Sequence, residues 1–542
     1  MKRIKQLLIF SVGLTASLIM NSCNPATRTE KADAVLPVIP LPDKTIAYEG
    51  SFVLDASTQI ITSSEEQKKV ALWFTKELQK QYDLTCQIVS SSEKENSILL
   101  KYDELLDDEA YALDIYENNI SIKASSEAGY FYAFQSLLQL APVTKEKVEV
   151  SEVKISQVSI TDKPTYQWRG LMLDISRHFF GPSSIKQLID QMAAQKMNRL
   201  HLHLTDDPGW RIEIKEYPKL HEIGSRGDRS NTNGPCMYLS EKEAREITAY
   251  ANERQIMIIP EVDIPGHSGA IERAYPEFSG GNNTLNVANE EAVKMIETVI
   301  IRLSELFNTP YVHYGGDEVR KHNWNGRADM RAKMNELGLK NQHELEGWFD
   351  RRMANFIVES GLKPIAWDEA CGFDVNKNTI IQWWRCRHPK VLRSATKKDY
   401  QVIISPADYS YLDYPQDFKE GGANWEGLDN GPNSLELIYK WKHIPDGFTQ
   451  NMKDNVIGIE AALWTEFISS QKRLEYMAYP RLSAIAEKAW TKEENMNWES
   501  FQQRLSEQYR RYEMAGINYR IPDIDTEERK NIQPEAFEGP VK

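Results

Sequence analysis

With 542 residues, 41% of them hydrophobic and 10% aromatic, the chain suits one large domain plus one or two smaller ones. Its formal net charge of -14 at pH 7 leaves no basic excess to meet phosphates, which argues against a nucleic-acid partner. The 13 Trp and 24 Tyr can pack a core or face a flat ligand, and only their positions separate the two uses.

The N-terminus reads as a targeting segment. Lys2, Arg3 and Lys5 precede an apolar run from Leu7 to Met20 that is short for a membrane span and ends at Asn21-Ser22-Cys23. This resembles a bacterial lipoprotein signal. The expectation is an exported bacterial protein with a lipid anchor at Cys23, facing the periplasm or the cell surface. Residues 1–23 are then signal and 24–34 a polar tether. Cys86, Cys236, Cys371 and Cys386 form no CxxC pair and read as isolated core thiols.

Residues 35–163 mix strand patterns at 96–102, 111–116 and 120–124 with helical patterns at 65–82 and 127–140, which predicts a small α+β domain. It gathers no acids, His or Trp into a site and reads as scaffold. From 164 to 515 strand-like runs alternate with amphipathic helices. Strands are predicted at 170–175, 198–204, 256–261, 311–315, 364–367, 379–384, 401–405 and 456–463. Helices are predicted at 184–196, 241–254, 290–307, 344–360 and 473–490. Eight apolar strands mostly separated by helices predict an α/β fold, a (β/α)8 TIM-type barrel. The stretch between Tyr411 and Asn455 is rich in Gly, Pro, Asp and Asn and reads as a long loop with a weak helix. Residues 516–542 form a tail, polar after about Asp525.

A barrel of this kind works at the carboxyl ends of its strands. The eight exits in order carry Arg177, Asp206, His267, the pair Asp317-Glu318, Trp367, Trp384, then Tyr411 with Asp413, and last Trp464 with Glu466. Adjacent acids in a site that excludes water resist charging together, so one of Asp317 and Glu318 is expected to hold a proton near neutral pH. Acids, Trp and an Arg, without a phosphate-cradling loop or nucleotide fingerprint, point to a neutral polyhydroxyl ligand. Most glycosidases need two carboxyls bracketing the bond, about 5–5.5 Å apart for retention. Sequence neighbours are poorly placed for that, which leaves room for a substrate's own 2-acetamido group to attack.

The chain resembles the β-N-acetylhexosaminidases of glycoside hydrolase family 20. The match lies in Trp168-Arg-Gly-Leu-Met-Leu-Asp-Ile-Ser-Arg-His-Phe179, His201-Leu-His-Leu-Thr-Asp-Asp207, Pro260-Glu-Val-Asp-Ile-Pro-Gly-His267, Gly315-Gly-Asp-Glu318, Trp367-Asp-Glu369, Tyr411-Leu-Asp413 and Trp464-Thr-Glu466. Glu109-Ala-Tyr111 and Gly129-Tyr-Phe-Tyr132 extend it into the small domain.

The resemblance implies a retaining exo-enzyme that removes a terminal β-linked N-acetylhexosamine from a glycan through an oxazolinium intermediate. It implies Glu318 as general acid and base, Asp317 as acceptor of the acetamido N–H, and Tyr411 as donor to the amide oxygen. It gives Trp367, Trp384 and Trp464 to the acetamido pocket, Arg177 and Glu466 to O3 and O4, and Asp413 to O6. Asp206 and His267 support the acid. No cofactor and no metal are implied.

Three rival readings stand beside this one. His201-x-His203 with Asp206 and Asp207 offers a metal-dependent hydrolase. A sugar-binding lipoprotein without catalysis and a glycosidase for sugars lacking the acetamido group are the others. His201 and His203 share one strand face and read as packed polar residues. Trp168, Trp210, Trp383 and Trp490 read as packing. Asp174, Asp207, Asp263, Asp368 and Glu369 stay outside the catalytic assignment.

Overall fold

The computed structural model describes residues 28–521 apart from 33, 93–94, 144–150, 419 and 424–431. The signal segment with Cys23 and the polar tail after Asp525 therefore lie outside the described residues.

The small domain is a seven-stranded mixed sheet. The helices Glu65–Tyr82 and Glu127–Leu140 end where the sequence pattern ends. Both start on a serine whose side chain accepts a backbone N–H, Ser64 from Gln67 and Ser126 from Gly129, which satisfies a donor the first turn leaves open. The two helices meet through Phe74 on Phe134, stacked at 4.2 Å. The hairpin of Tyr111–Ile115 and Asn119–Ala124 is antiparallel, as the Glu117-Asn118-Asn119 turn predicts. Two long strands, Lys44–Asp55 and Glu152–Asp162, were not legible as such and pair antiparallel at one side of the sheet. Part of the stretch read as a tether joins that edge. Glu30 bridges Tyr48, and the Arg28 guanidinium lies 3.8 Å from the Tyr48 ring centroid.

Eight parallel strands then close into a barrel: Trp168–Asp174, Arg199–His203, Met257–Glu261, Tyr311–His313, Lys363–Trp367, Ile380–Trp383, Val402–Ile404 and Val456–Leu463. Closure needs the last strand to find the first, and it does so over six partners from Gly458 with Trp168 to Leu463 with Leu173. The strands are almost wholly buried because helices cover the outside and packed side chains fill the inside.

Two sequence readings are corrected. The helix expected over 473–490 is two, Gln471–Ala478 and Arg481–Trp490, because Pro480 has no N–H to continue the first. The cysteines are not all core thiols: Cys86 and Cys371 are buried, Cys386 is half-buried and Cys236 is exposed. Elsewhere, the described residues of the 411–455 stretch carry two short helices, Leu435–Lys440 and Gln450–Asp454, beside its loops.

The small domain docks on the amino end of the barrel, opposite the catalytic exits. Arg169, at the start of the first barrel strand, donates to Glu109 at 2.7 and 2.9 Å and to the Tyr132 hydroxyl at 3.0 Å. Asp162, which ends the small domain, meets the buried Lys196 ammonium at 2.9 Å and the Trp490 indole N–H at 2.9 Å.

Candidate active site

The fourth barrel strand stops at His313, and the chain then turns through Gly315 and Gly316 at φ +72° and +97°. A side chain at Gly315 would place its Cβ 1.8 Å from Asp263 Oδ1, so only glycine lets the loop lie this close to the third strand's exit. That turn carries Asp317 inward and Glu318 outward. Asp317 is 11% exposed at its side chain and Glu318 is 58% exposed, with a left-handed φ of +48°. Positive φ in a glutamate is sparsely populated, and here it falls on a residue at the centre of the site.

His267 ties the pair together. Its Nε2 lies 3.7 Å from Asp317 Oδ2 and 3.6 Å from Glu318 Oε2. Its Nδ1 lies 3.3 Å from Asp206. Burial alone would lower the His267 pKa, but the carboxylates of Asp206 and Asp263 hold it well above the usual imidazole range. Asp206 in turn meets Arg177 Nη2 at 2.6 Å and His203 Nε2 at 3.0 Å. Arg177 Nε continues to Glu466 at 3.5 Å, and the guanidinium sits 4.8 Å from the Trp464 ring centroid. One charged network thus links the exits of strands one, two, three, four and eight.

The expectation that one acid of the pair keeps a proton near neutral pH is not met in the open cleft. Burial raises Asp317 to about 6, with His267 opposing and Glu318 adding to the rise. Glu318 is lowered, first by its hydrogen bond with His267, which outweighs its desolvation. One acid of the pair is indeed shifted upward, but in the open cleft it is Asp317 and not Glu318. The cause is burial: Asp317 is enclosed, while Glu318 faces water.

The opposite wall is aromatic. Trp384 and Tyr411 stack at 6.4 Å with 11° between planes, Tyr411 meets Trp464 at 6.0 Å, and Trp367 backs Trp464 at 5.8 Å. These rings form a buried cluster of their own with Met172 and Tyr414, apart from the main core. The Trp384 indole N–H donates to Glu369 at 3.1 Å, so Glu369 orients a wall of the site without lining it. The cleft measures about 240 Å³ and is lined by Arg177, Asp206, His267, Asp317, Glu318, Trp384, Tyr411, Trp464 and Glu466. Asp207, Pro208, Arg229 and Arg320 complete its rim, and the last three were not singled out in the sequence because they sit on aperiodic loops. Trp367 and Asp413 do not line it; both are 1% exposed and stand behind the lining.

Among the described residues, two carboxylate oxygens of this cleft, Asp317 Oδ1 and Glu466 Oε2, are buried without a hydrogen-bond partner. Such orphans are costly and rare, and at a binding site they mark where a ligand donor is to arrive. The residues kept outside the catalytic assignment have structural duties. Asp174 accepts from the backbone of Ser176, Arg177 and Thr465, which holds two exits in place. Asp263 faces Gly316 N–H at 3.4 Å.

His201 and His203 both point into the barrel, as alternate residues of one strand should. His201 meets Glu460 at 2.9 Å and Glu261 at 3.1 Å, and His203 bridges Glu261 to Asp206. Their ring nitrogens are thus engaged with carboxylates. Trp168, Trp210, Trp383 and Trp490 are buried and away from the cleft.

A closed parallel barrel with a carboxylate pair facing a cage of indoles at its carboxyl end has the build of a barrel glycosidase. The comparisons narrow this class to one family. The model of the glycosyl hydrolase family 20 catalytic domain matches residues 166–493, and that of the family's domain 2 matches residues 35–163. The chain is 33% identical over 541 residues to a beta-hexosaminidase of Porphyromonas gingivalis, covering 95% of this chain and 68% of the relative. A beta-hexosaminidase of Vibrio furnissii is 33% identical, with 84% and 76% covered. The crystal structure of the Vibrio harveyi GH20 exo beta-N-acetylglucosaminidase in complex with N-acetylglucosamine superposes with a TM-score of 0.83 at 31% identity, covering 92% of this chain and 80% of that one. The chain belongs to glycosyl hydrolase family 20.

Proposed function

We propose that the protein is a retaining exo-β-N-acetylhexosaminidase that removes a terminal N-acetylglucosamine or N-acetylgalactosamine from a glycan, with the sugar's acetamido oxygen as nucleophile. The observation that carries this reading is the orphaned Asp317 Oδ1, buried beside Glu318 in a cleft whose other wall is indole and phenol. A carboxylate oxygen in an aromatic cage suits an amide N–H next to a methyl group.

Asp317 and Glu318 are chain neighbours on one turn, and one imidazole nitrogen lies 3.7 and 3.6 Å from them, an arrangement in which both acids belong to one wall of the cleft. The usual two-carboxylate arrangement is then absent from this pair, and the nucleophile comes from the substrate. Asp317 accepts the acetamido N–H and aligns the amide; Tyr411 donates to its oxygen; Trp384 and Trp464, backed by Trp367, enclose the methyl. Arg177 and Glu466 take O3 and O4, while Asp413 stands behind the lining and meets no sugar hydroxyl directly. As the C1–O bond breaks, the amide oxygen bonds to C1 and the glycosidic oxygen takes the proton of Glu318. Positive charge then grows beside Asp317, which stabilises the transition state more than the ground state.

Binding also changes the proton affinity of both acids. A sugar covers Glu318, removes the water that solvates its charge and raises its pKa. The amide N–H donated to Asp317 favours that residue's ionised form. Water activated by Glu318 then opens the oxazolinium, so the product keeps its anomeric configuration after two inversions. Proton NMR of fresh product tests this: the β-anomer should appear first, and α first would reject the reading.

We further propose export and lipid anchoring at Cys23, on the strength of the segment from Lys2 to Cys23. Cys23→Ser should move the protein from the membrane fraction to the soluble one.

A further inference from the structure

We propose that Asp350 is a positioning residue: as the neutral acid it packs behind Gly316 and holds the turn that carries Asp317 and Glu318, and as the carboxylate it releases that turn. Its effect on activity rests on the hexosaminidase reading above, whereas its effect on stability does not.

Asp350 lies in the helix Gln342–Glu359, which packs on the fifth barrel strand and on the short turn Lys321–Trp324 that follows the catalytic pair. It is fully buried. Among the described residues neither of its carboxyl oxygens has a hydrogen-bond partner, and the buried Tyr314 hydroxyl has none either. Both side chains flank one point of the backbone. A Cβ on Gly316 would lie 3.8 Å from Asp350 Oδ2 and 3.6 Å from Tyr314 Cε2. An acid with no donor and a phenol with no partner thus stand behind the residue that precedes Asp317.

A buried carboxylate without donors is far costlier than the neutral carboxyl. Burial first, and then the neighbouring Glu346, push the Asp350 carboxyl well above the usual carboxylate range, against the pull of Arg351 and Lys321. Burial and then Asp350 raise the Tyr314 hydroxyl, which stays a neutral phenol. Other charged groups around this helix are engaged elsewhere. Arg351 donates to the Phe373 carbonyl at 3.0 Å, Arg352 pairs with Glu290 and Glu297, and Asp368 takes Arg385.

Lys321 couples this acid to the site. Its ammonium pairs at 2.6 Å with Glu346, which is buried one helical turn before Asp350 and also lies 3.5 Å from His343 Nδ1. An ionised Asp350 competes with Glu346 for that ammonium and takes in water behind Gly316. Both effects shift the segment from Gly316 to Lys321, which holds the two catalytic acids. Because the folded state binds this proton more tightly than the unfolded chain, the stability it gives is full at acid pH and lost as pH rises through the raised value.

Asp350→Asn keeps the shape and cannot ionise. Wild type and variant are compared from about pH 5 to about pH 10, by Tm and by kcat/KM on an aryl N-acetylglucosaminide. The variant's Tm should gain steadily on the wild type's as pH rises. The ratio of kcat/KM, variant to wild type, should be flat on the acid side and then climb by about tenfold per pH unit once Asp350 ionises. Limbs due to Asp317, Glu318 and His267 are common to both proteins and leave the ratio. Glu346→Gln removes a charge that opposes ionisation, so it should move the alkaline loss to lower pH, and it serves where Asp350→Asn does not fold. A Tm difference or a kcat/KM ratio that is constant across the range would overturn the proposal, being the mark of a purely structural residue. So would an alkaline loss that Glu346→Gln leaves in place. If the wild type does not cleave the substrate at any pH, the hexosaminidase reading fails instead, and the Tm series still decides whether Asp350 is held neutral.

Discussion

Asp317 is buried beside a charged imidazole and keeps one oxygen without a partner, and its thermodynamics follow from that setting. Its pKa is raised from 3.8 to about 6, so the folded state holds the proton more tightly than the unfolded chain does. The stability this gives is full below pH 4 and lost as pH rises through about 6. At pH 8 the ionised carboxylate is therefore a burden, and Asp317→Asn should raise stability by roughly 2 kcal/mol in denaturant titrations. The same substitution should cut kcat on the order of 10²-fold, since the counter-charge to the oxazolinium is gone. Activity has the opposite pH sense. Catalysis needs Asp317 ionised, so kcat/KM, which reports the free enzyme, should fall as pH drops through about 6. In kcat that limb should lie lower, because the bound amide favours the carboxylate. Superimposable limbs would reject the hydrogen bond from the bound amide to Asp317. Glu318→Gln should slow a poor leaving group by on the order of 10²–10⁴ and an activated aryl one far less.

Elements place these residues, and one glycine is the narrowest point. Gly315→Ala must adopt φ +72° and puts a Cβ 1.8 Å from Asp263 Oδ1. Left-handed backbone alone costs roughly 1–3 kcal/mol, and the clash adds to it. The variant should lose activity more than Tm falls, because the displaced loop carries both acids; intact kcat would show that the turn is not needed. Much at this scale was legible. All eight barrel strands were found because both-face burial writes continuous apolar runs such as Val456–Leu463. Helix ends such as Glu290–Phe307 followed from a strong apolar stripe. Ala328–Leu337 went unseen because it buries only Met330 and Met334, too little to write a period. The break at Pro480 was visible in the letters and should have overruled the helical pattern around it.

At the scale of the molecule, the two domains share a buried ion pair. Lys196 and Asp162 are both fully enclosed, and Tyr111 and Trp490 hydrogen-bond to the same carboxylate. Asp162→Asn would leave the ammonium without its counter-charge, which should destabilise the fold by roughly 3–5 kcal/mol in thermal or denaturant unfolding. A loss below 1 kcal/mol would mean water reaches Lys196 readily. The catalytic side chains were legible because each closes a motif at a strand exit. Their protonation was not, since it depends on which acid the fold buries. The rim arginines and the Glu369 bond to Trp384 were hidden for a related reason: loops that meet only in three dimensions leave no spacing to read.

The most direct test makes the proposed nucleophile weaker without changing the enzyme. Aryl glycosides carrying N-acetyl, N-fluoroacetyl, N-difluoroacetyl and N-trifluoroacetyl groups present an amide oxygen of falling nucleophilicity in nearly the same shape. If that oxygen attacks C1, log(kcat/KM) should drop steeply with each added fluorine. A flat series, or an ester trapped on an enzyme carboxylate, would contradict the account.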